Sequence, residues 1–347
     1  MKTMRNNCGT LRDYWYVAGL EKDVTYKDPL TTIIMETRLV IWSKSDGTLV
    51  AMRDRCSHRN ALLSRGSIKD DCIKCPYHGW TYNSSGDCVN VPSEGPDGKS
   101  FENRGVEVFH VTPRYGLIWV WMGKEEPDKQ PFPMPKIKDK GWRTYYMETE
   151  FDNEVTHLCE NFMDVPHTVF VHEGWFRKRK RIEVKSTVER TEDSVLVNYI
   201  SNDAIGFTER VLNPKNLPMV HTDKFYMPNN TRVDYIWGND EHGFVITSTT
   251  VPVTPTTSKV YTLISYKFGV LNHVFKLFLP WYTRSVIKQD VDIMQNQGLA
   301  FSEEAPDFKH TPADTLHIFI ESLRSWKQNG EIGPKPKPRV RQVDFWI

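Results

Sequence analysis

The chain lacks the features that would place it among membrane, exported or nucleic-acid-binding proteins. No apolar stretch approaches the ~20 residues that span a bilayer, and the start of the chain has no continuous apolar segment of a signal peptide. A charge excess is also missing, because 45 Lys and Arg face 44 Asp and Glu, which argues against nucleic acid as a partner. Six cysteines without an export signal favour a reducing, cytoplasmic location over a disulfide scaffold.

What is present is an ordinary globular composition with 39% hydrophobic residues. Short β-rich runs joined by turn signals such as Asp46-Gly47 predict a small all-β domain first. Four prolines between Gly123 and Pro135 disfavour helix and sheet, so we assign 1–125 to the first domain and 126–347 to a second, α+β domain. In the second domain we predict several alternating strands and the helices Glu154–His167, Trp281–Gln297 and Pro312–Gln328.

Two cysteine–histidine pairs form the first candidate metal site. Cys56 and His58 are followed, 16 residues later, by Cys75 and His78. The four residues could hold one tetrahedral zinc ion, but zinc fingers usually pair cysteine with cysteine and histidine with histidine. Two thiolates on one iron and two imidazoles on the other describe a Rieske [2Fe–2S] centre. The mixed pairs therefore favour an iron–sulfur cluster, with zinc as the alternative.

Asp164, His167 and His172 form the second candidate site. Asp164 and His167 share a helix face because they are three residues apart. Pro166 disfavours helical geometry in the residue before it, so the helix is expected to kink or end there, and His172 can fold back beside His167. Two histidines and one carboxylate would make the facial triad that binds ferrous iron and leaves positions open.

Helix geometry selects the missing carboxylate from residues 285–297. At about 100° per residue, Asp290 lies near the middle of an apolar arc, whereas Asp292 lies on the opposite face. A carboxylate within an apolar face is costly unless it is paired or metal-bound. We therefore expect Asp290 to be the ligand and Asp292 to be a solvated acid. His157 is the alternative ligand. Asn161, on the same side of the first helix, is either a hydrogen-bonding neighbour of the metal or a residue that only caps or packs.

The sequences CSHRNALLSRGS (residues 56–67) and CPYHGW (residues 75–80) resemble the Rieske domain of ring-hydroxylating and demethylating oxygenases. The resemblance implies a Rieske domain followed by a helix-grip, START-like catalytic domain with a curved antiparallel sheet and C-terminal helices. It also implies a Rieske cluster and a mononuclear Fe(II) in a head-to-tail homotrimer, where an acid at the Asp164 position bridges a cluster histidine and an iron histidine. The family often has Glu where this chain has Gln295.

The resemblance implies a terminal oxygenase that uses O2 and external electrons on a ring-containing small molecule. The chain length is similar to that of α-only O-demethylases, N-demethylases and saxitoxin-type hydroxylases, which favours monooxygenation over cis-dihydroxylation by a dioxygenase. The dinucleotide-binding glycine motif is missing from the sequence, so a separate reductase or ferredoxin is implied. The alternatives are a Rieske electron-transfer protein with a non-catalytic binding domain and a zinc-stabilised interaction protein.

The sequence leaves the substrate open. We expect the pocket to draw on Phe162, Phe170, the Asn202–Phe207 loop, the sheet around Ile246 and Tyr266, and an apolar Leu271–Tyr282 helix that is buried or lines the pocket. The basic run Arg177–Arg181 is either solvated or a guide for an anionic substrate or donor. The Lys/Pro-rich stretch Gly333–Arg339 is expected to be extended, and its role stays open.

Overall fold

The computed structural model describes residues 11–26, 28–95, 102–175, 182–200, 213, 217–238 and 242–347. It divides into two compact units, Arg12–Pro133 and one that holds Met134–Ile347. The predicted domain limits, 1–125 and 126–347, stay a prediction. Within the described ranges, no helix combines the length and the apolar character needed to cross a bilayer.

The unit Arg12–Pro133 is built from short antiparallel strands. Its described residues form three sheets with the orders β1-β11-β10, β2-β3-β4-β9 and β5-β6-β7-β8. The first six strands are β1 (Trp15–Leu20), β2 (Leu30–Ile34), β3 (Thr37–Ser43), β4 (Leu49–Arg53), β5 (Ser67–Lys69) and β6 (Cys72–Lys74). The others are β7 (Thr81–Tyr82), β8 (Cys88–Asn90), β9 (Val108–Phe109), β10 (Val111–Arg114) and β11 (Leu117–Trp121).

Local sequence explains these strands. The Asp46-Gly47 turn joins β3 to β4, and Gly47 has a φ of 84°, a conformation that glycine adopts without a steric penalty. All five residues of β11 are buried, since this strand lies between β1 and β10 and is apolar throughout. The prediction of an all-β first domain is therefore confirmed.

The unit that holds Met134–Ile347 is organised around one antiparallel sheet of eight strands. Their order is β12-β18-β17-β16-β15-β14-β13-β19. The strands are β12 (Arg143–Phe151), β13 (Glu183–Arg190), β14 (Ser194–Tyr199), β15 (Met219–Tyr226), β16 (Asn230–Trp237), β17 (His242–Pro252), β18 (Ser258–Lys267) and β19 (Arg339–Trp346). The described α-helices are α1 (Val155–Asn161), α2 (Asn272–Glu303) and α3 (Thr315–Gln328). This large sheet with C-terminal helices confirms the predicted α+β class.

The helix predicted over Glu154–His167 is shorter than expected. α1 ends at Asn161, and the chain resumes as a 3-10 turn, Pro166–Val169, with the proline at its first position. Proline lacks the N–H that an α-helix would need and favours the first turn of a new segment. The break expected near Pro166 is therefore present. Asp164 lies between α1 and the 3-10 turn, so the prediction that Asp164 and His167 share one helix face is wrong.

The helix predicted over Trp281–Gln297 is longer at both ends. α2 contains Pro280 in its interior and continues past Gly298 to Glu303. A Cβ at Gly298 would lie 2.1 Å from the backbone oxygen of Asp152, so this glycine permits close packing rather than ending the helix. The first turns of α2 are also less buried than predicted, since Leu277 is 83% exposed.

Of the C-terminal elements, the helix α3 matches the sequence prediction, whereas the strand β19 was not predicted. Thr311 and Asp314 form a capping box ahead of α3, which ends at Gln328 as predicted. The strand β19 follows the Lys/Pro-rich stretch and pairs with β13 along its whole length. This pairing was not predicted, because Arg339–Trp346 shows little apolar alternation.

Candidate metal centres

Two loops of equivalent backbone geometry carry Cys56 with His58 and Cys75 with His78. The N–H of Cys56 donates to the carbonyl of Ala61, and the N–H of Cys75 donates to that of Trp80, five residues on in each case. In both loops the N–H of the residue four positions after the cysteine donates to the carbonyl of that cysteine. The shared pattern presents a cysteine and a histidine from each loop.

The four side chains are arranged as a sulfur pair and an imidazole pair. Cys56 and Cys75 are buried with free thiols, and the rings of His58 and His78 have centroids 4.7 Å apart. Burial raises the pKa of the Cys75 thiol. This effect outweighs the backbone N–H groups of Tyr77 and His78, which donate to the sulfur and lower the pKa. Burial and then His78 lower the pKa of His58, which favours the neutral imidazole that binds a metal.

This arrangement fits a two-iron cluster better than one zinc ion. The Nδ1 atom of His58 is buried and has no hydrogen-bond partner, so it is suited to a metal bond. Ligand atoms on one zinc ion lie about 4 Å or less from one another. Among the described residues, the group of three or more potential ligand atoms that lie this close together does not include these four residues. Separate sulfur and imidazole pairs are what two irons require.

Neighbouring side chains support the cluster loops, and the sequence analysis missed them. The hydroxyl of Tyr82 lies 3.1 Å from the sulfur of Cys56, and His58 stacks on Trp80 with a centroid distance of 4.6 Å. Asp54, which is buried, accepts hydrogen bonds from the backbone and hydroxyl of Ser64. The sequence showed aromatic residues after His78 but gave no sign of which atoms they would reach.

The second constellation brings together His167, His172 and Asp290. Nε2 of His167 lies 3.3 Å from Nε2 of His172, and Oδ1 of Asp290 lies 3.5 and 3.2 Å from these two atoms. Three ligands at ~2.1 Å from one ion, with angles of 90–109°, would be about 3.0–3.4 Å apart. The three side chains are therefore spaced for a shared metal ion, and they come from the segment that begins at Pro166 and from α2.

Further residues orient these three side chains. Nδ1 of His172 lies 2.8 Å from Oε1 of Gln289, and Asn161 donates from its side-chain amide to Asp290 at 3.1 Å. Oδ2 of Asp164 accepts the backbone N–H of His167 and lies 3.4 Å from Nδ1 of that ring. Such outer contacts fix which ring nitrogen faces the metal. Asp164 and Asn161 were singled out in the sequence, whereas Gln289 was not.

The electrostatics of the site show how strongly these three groups interact. Burial opposes the charge of His167, but the interactions of its ring with the carboxylates of Asp164 and Asp290 outweigh burial and raise the His167 pKa to about 9. Burial likewise opposes the charge of Asp290, yet His167 and His172 lower the Asp290 pKa to about 2. A cation would replace the proton in this anionic pocket.

Two further residues considered in the sequence analysis, the acid Asp292 and the alternative ligand His157, lie apart from this set. Asp292 is exposed and pairs with Lys288 at 2.9 Å, as expected of a solvated acid. His157 is buried between Glu154 and Glu160, at 3.6 and 3.4 Å, and does not join the three-residue set. The basic run Arg177–Arg181 lies outside the described residues.

The three residues lie in the wall of a mainly apolar cavity of about 130 Å³ between the sheet and α2. Phe162, Ile246 and Tyr282 line it as predicted, but Phe170 does not, because its side chain is exposed. Tyr266 packs instead in the core beside Tyr145. The predicted Asn202–Phe207 loop lies outside the described residues.

Two family models match the chain, one for each unit. Residues 14–110 match the Rieske [2Fe-2S] domain, and residues 152–319 match the vanillate O-demethylase oxygenase C-terminal domain. Together with the two residue constellations, these matches show that the chain belongs to the Rieske oxygenases. Members with these domains carry a [2Fe–2S] cluster and a mononuclear iron.

Individual relatives agree with this family. The oxygenase component of dicamba O-demethylase from Stenotrophomonas maltophilia is 31% identical over 65% of this chain and 62% of that protein. Methylxanthine N1-demethylase NdmA from Pseudomonas putida is 34% identical over 47% of this chain and 48% of that protein. The alignment thus spans less than two thirds of either relative.

A solved structure shows the same fold. The crystal structure of dicamba monooxygenase bound to dicamba has a TM-score of 0.75 with this chain, covering 92% of this chain and 98% of that one at 20% identity. At this identity the likeness establishes the architecture, a Rieske domain followed by a catalytic domain with a large antiparallel sheet.

Proposed function

We propose that this protein is the terminal component of a monooxygenase that hydroxylates or oxidatively demethylates a ring-containing small molecule. The observation that carries the proposal is the meeting of His167, His172 and Asp290, at mutual distances of 3.2–3.5 Å, in the wall of an apolar cavity. A cavity of about 150 Å³ accommodates a benzene ring in another protein, so this one is near the size of a single ring.

We assign the cluster to Cys56, His58, Cys75 and His78, and the ferrous ion to His167, His172 and Asp290. When bound, the cluster supplies single electrons and the ferrous ion supplies the site for dioxygen. For a methyl ether the balance is one O2, two electrons and two protons in, and an alcohol or phenol, formaldehyde and water out. The C–H bond of the methyl group is oxidised, and the O–CH3 bond breaks.

The chain's own residues then have defined tasks. Asp290 and the two histidines hold the ion on one face, and Gln289 and Asp164 fix the imidazoles of His172 and His167. The apolar cavity wall excludes water and holds the ring of the substrate against the site. The wall includes Phe162, Val233, Tyr235, Phe244, Ile246 and Ile264.

The partners follow from the same proposal. Two electrons per turnover come from a separate reductase or ferredoxin. We propose a homotrimer in which Asp164 connects a cluster histidine of one subunit to an iron histidine of its neighbour. The free cysteines among the described residues are consistent with the proposed cytoplasmic location.

A single-turnover experiment under 18O2 tests the function. Enzyme loaded with iron and reduced with dithionite is mixed with methoxylated and N-methylated ring compounds. We expect the cluster to be reoxidised, with one 18O atom in a hydroxylated product or, for a demethylation, with formaldehyde and the demethylated compound formed in equal amounts. Two 18O atoms in one product would indicate dihydroxylation instead. A cluster that stays reduced with every compound, despite a filled iron site, would support the electron-transfer alternative.

A further inference from the structure

One buried carboxylate in the cavity wall has no part in the proposed reaction. Asp223 is 1% exposed and lines the cavity from β15. A carboxylate in an apolar wall is costly unless its oxygens are hydrogen-bonded. Asp223 therefore requires hydrogen-bond donors from the protein, from a ligand in the cavity, or from both.

Asp223 is held by two donors on neighbouring positions of the sheet. The hydroxyl of Tyr199 donates to Oδ2 at 2.8 Å, and Nε2 of His221 lies 3.0 Å from Oδ1. The ring of His221 is stacked between Tyr199 and Tyr235, with centroid distances of 4.1 and 4.3 Å. The stack fixes the imidazole, and the imidazole and the phenol fix the carboxylate. An ionised carboxylate offers about four acceptor positions, so two bonds leave room for more.

Among the described residues that line the cavity, the charged side chains other than the histidines are all acidic. Of the described lining residues none is Lys or Arg, while Asp164, Asp223 and Asp290 are acidic. The nearest basic residues along the strands, Lys224 and Arg232, lie on the opposite face of the sheet and pair with Asp234, each at 2.7 Å. An anionic group placed beside Asp223 would be desolvated and repelled by the carboxylate, with no described Lys or Arg side chain in the wall to compensate it.

We propose that Asp223 binds an N–H or O–H donor of the substrate, so that the cavity takes a neutral or cationic ring compound, such as an amine or amide, in preference to a carboxylate or sulfonate. This assignment rests on the proposed function, because it names the substrate class of the same cavity. Asp223 is then a specificity-determining residue that acts through the carboxylate charge, and Tyr199 and His221 are positioning residues for it.

The test compares four ring compounds that differ in one substituent. 4-Methoxybenzylamine is a cation, 4-methoxybenzamide is a neutral donor, anisole has no polar substituent and 4-methoxybenzoate is an anion. Their dissociation constants are measured by calorimetry on the anaerobic, metal-loaded enzyme. We expect the amine and the amide to bind at least about tenfold tighter than the benzoate, the order expected for a hydrogen bond to a charged group. Equal or tighter binding of the benzoate would overturn the proposal, without the need for any variant.

Variants test whether Asp223 causes the preference for the amine over the benzoate. In Asp223→Asn we expect the advantage of the amine over the benzoate to fall by about tenfold or more, while anisole binding changes little. The same substitution at exposed Asp292 should leave the ratio unchanged. An unaltered ratio in a folded Asp223→Asn protein would overturn the assignment. Failure of the proposed function is distinguishable, because it would appear as amine-selective binding without any oxygenated product under 18O2.

Discussion

The imidazole Nδ1 of His172 lies 2.8 Å from the side-chain oxygen of Gln289, the residue directly before Asp290. One turn of α2 thus supplies both the carboxylate and the hydrogen-bond acceptor that orients one of the two histidines. The Nδ1–H of His172 donates to this oxygen, which leaves Nε2 free to face His167 and Asp290.

This contact gives the first prediction. Replacing Gln289 by Leu removes the acceptor and should weaken Fe(II) binding by roughly 10–100-fold, as loss of such outer partners does in other metal sites. Gln289→Glu retains an acceptor and should bind iron with near-normal affinity. Anaerobic Fe(II) titration measures both. The matched control is Gln295→Leu, since Gln295 is exposed on the same helix, and equal affinity for all variants would exclude the orienting role.

Asp164 gives the second prediction. Its Oδ2 accepts the backbone N–H of His167 and lies 3.4 Å from that ring's Nδ1. Asp164→Asn keeps an acceptor for the backbone but removes the charge, so both metals should be retained while turnover is nearly abolished. Metal content and single-turnover rate are measured on the same sample. A fully active variant would show that the proposed bridge between the two centres is wrong.

The hydroxyl of Tyr82 gives the third prediction. It lies 3.1 Å from the sulfur of Cys56, and a donor to a cluster sulfur stabilises the reduced, more negative cluster. Tyr82→Phe should therefore lower the reduction potential by tens of millivolts, where ~59 mV corresponds to ~1.4 kcal/mol for one electron. Spectroelectrochemistry measures the shift, with Tyr77→Phe as the control because Tyr77 is exposed. A potential equal to that of the wild type would exclude a donor role.

His157 gives a prediction about stability. Burial opposes its charge, but the hydrogen bond that Glu160 accepts from the ring and the charges of Glu154 and Glu160 outweigh burial and raise the His157 pKa above 6.5. A raised pKa in the folded state adds stability that is fully present below pH 6.5 and is lost as the pH rises through the folded-state value. The free energy of unfolding should therefore fall over this interval in the wild type and less so in His157→Gln. Urea unfolding across neutral and alkaline pH measures it. Parallel curves for the two proteins would contradict the account, and exposed His273→Gln serves as the control.

The sequence alone predicts those residues whose chemical role is visible in their spacing along the chain. The mixed cysteine–histidine pairs indicated the cluster, and an acid in an apolar helical arc indicated Asp290. Gln289 and Asp223 were missed because their partners come from distant or neighbouring elements, and polar residues on strands alternate in the same way whether they face a cavity or solvent. The length of α2 was underestimated because Pro280 and Gly298 are usual breakers, whereas here Gly298 permits a close contact with Asp152.

The most direct test of the account is the content of iron and acid-labile sulfide per chain in anaerobically purified protein, with an EPR spectrum after reduction. We expect three irons, two sulfides and a Rieske-type signal, as one [2Fe–2S] cluster and one mononuclear iron require. Two irons and two sulfides that do not rise to three irons on addition of Fe(II) would contradict the oxygenase site. Zinc without acid-labile sulfide would contradict the assignment of both centres.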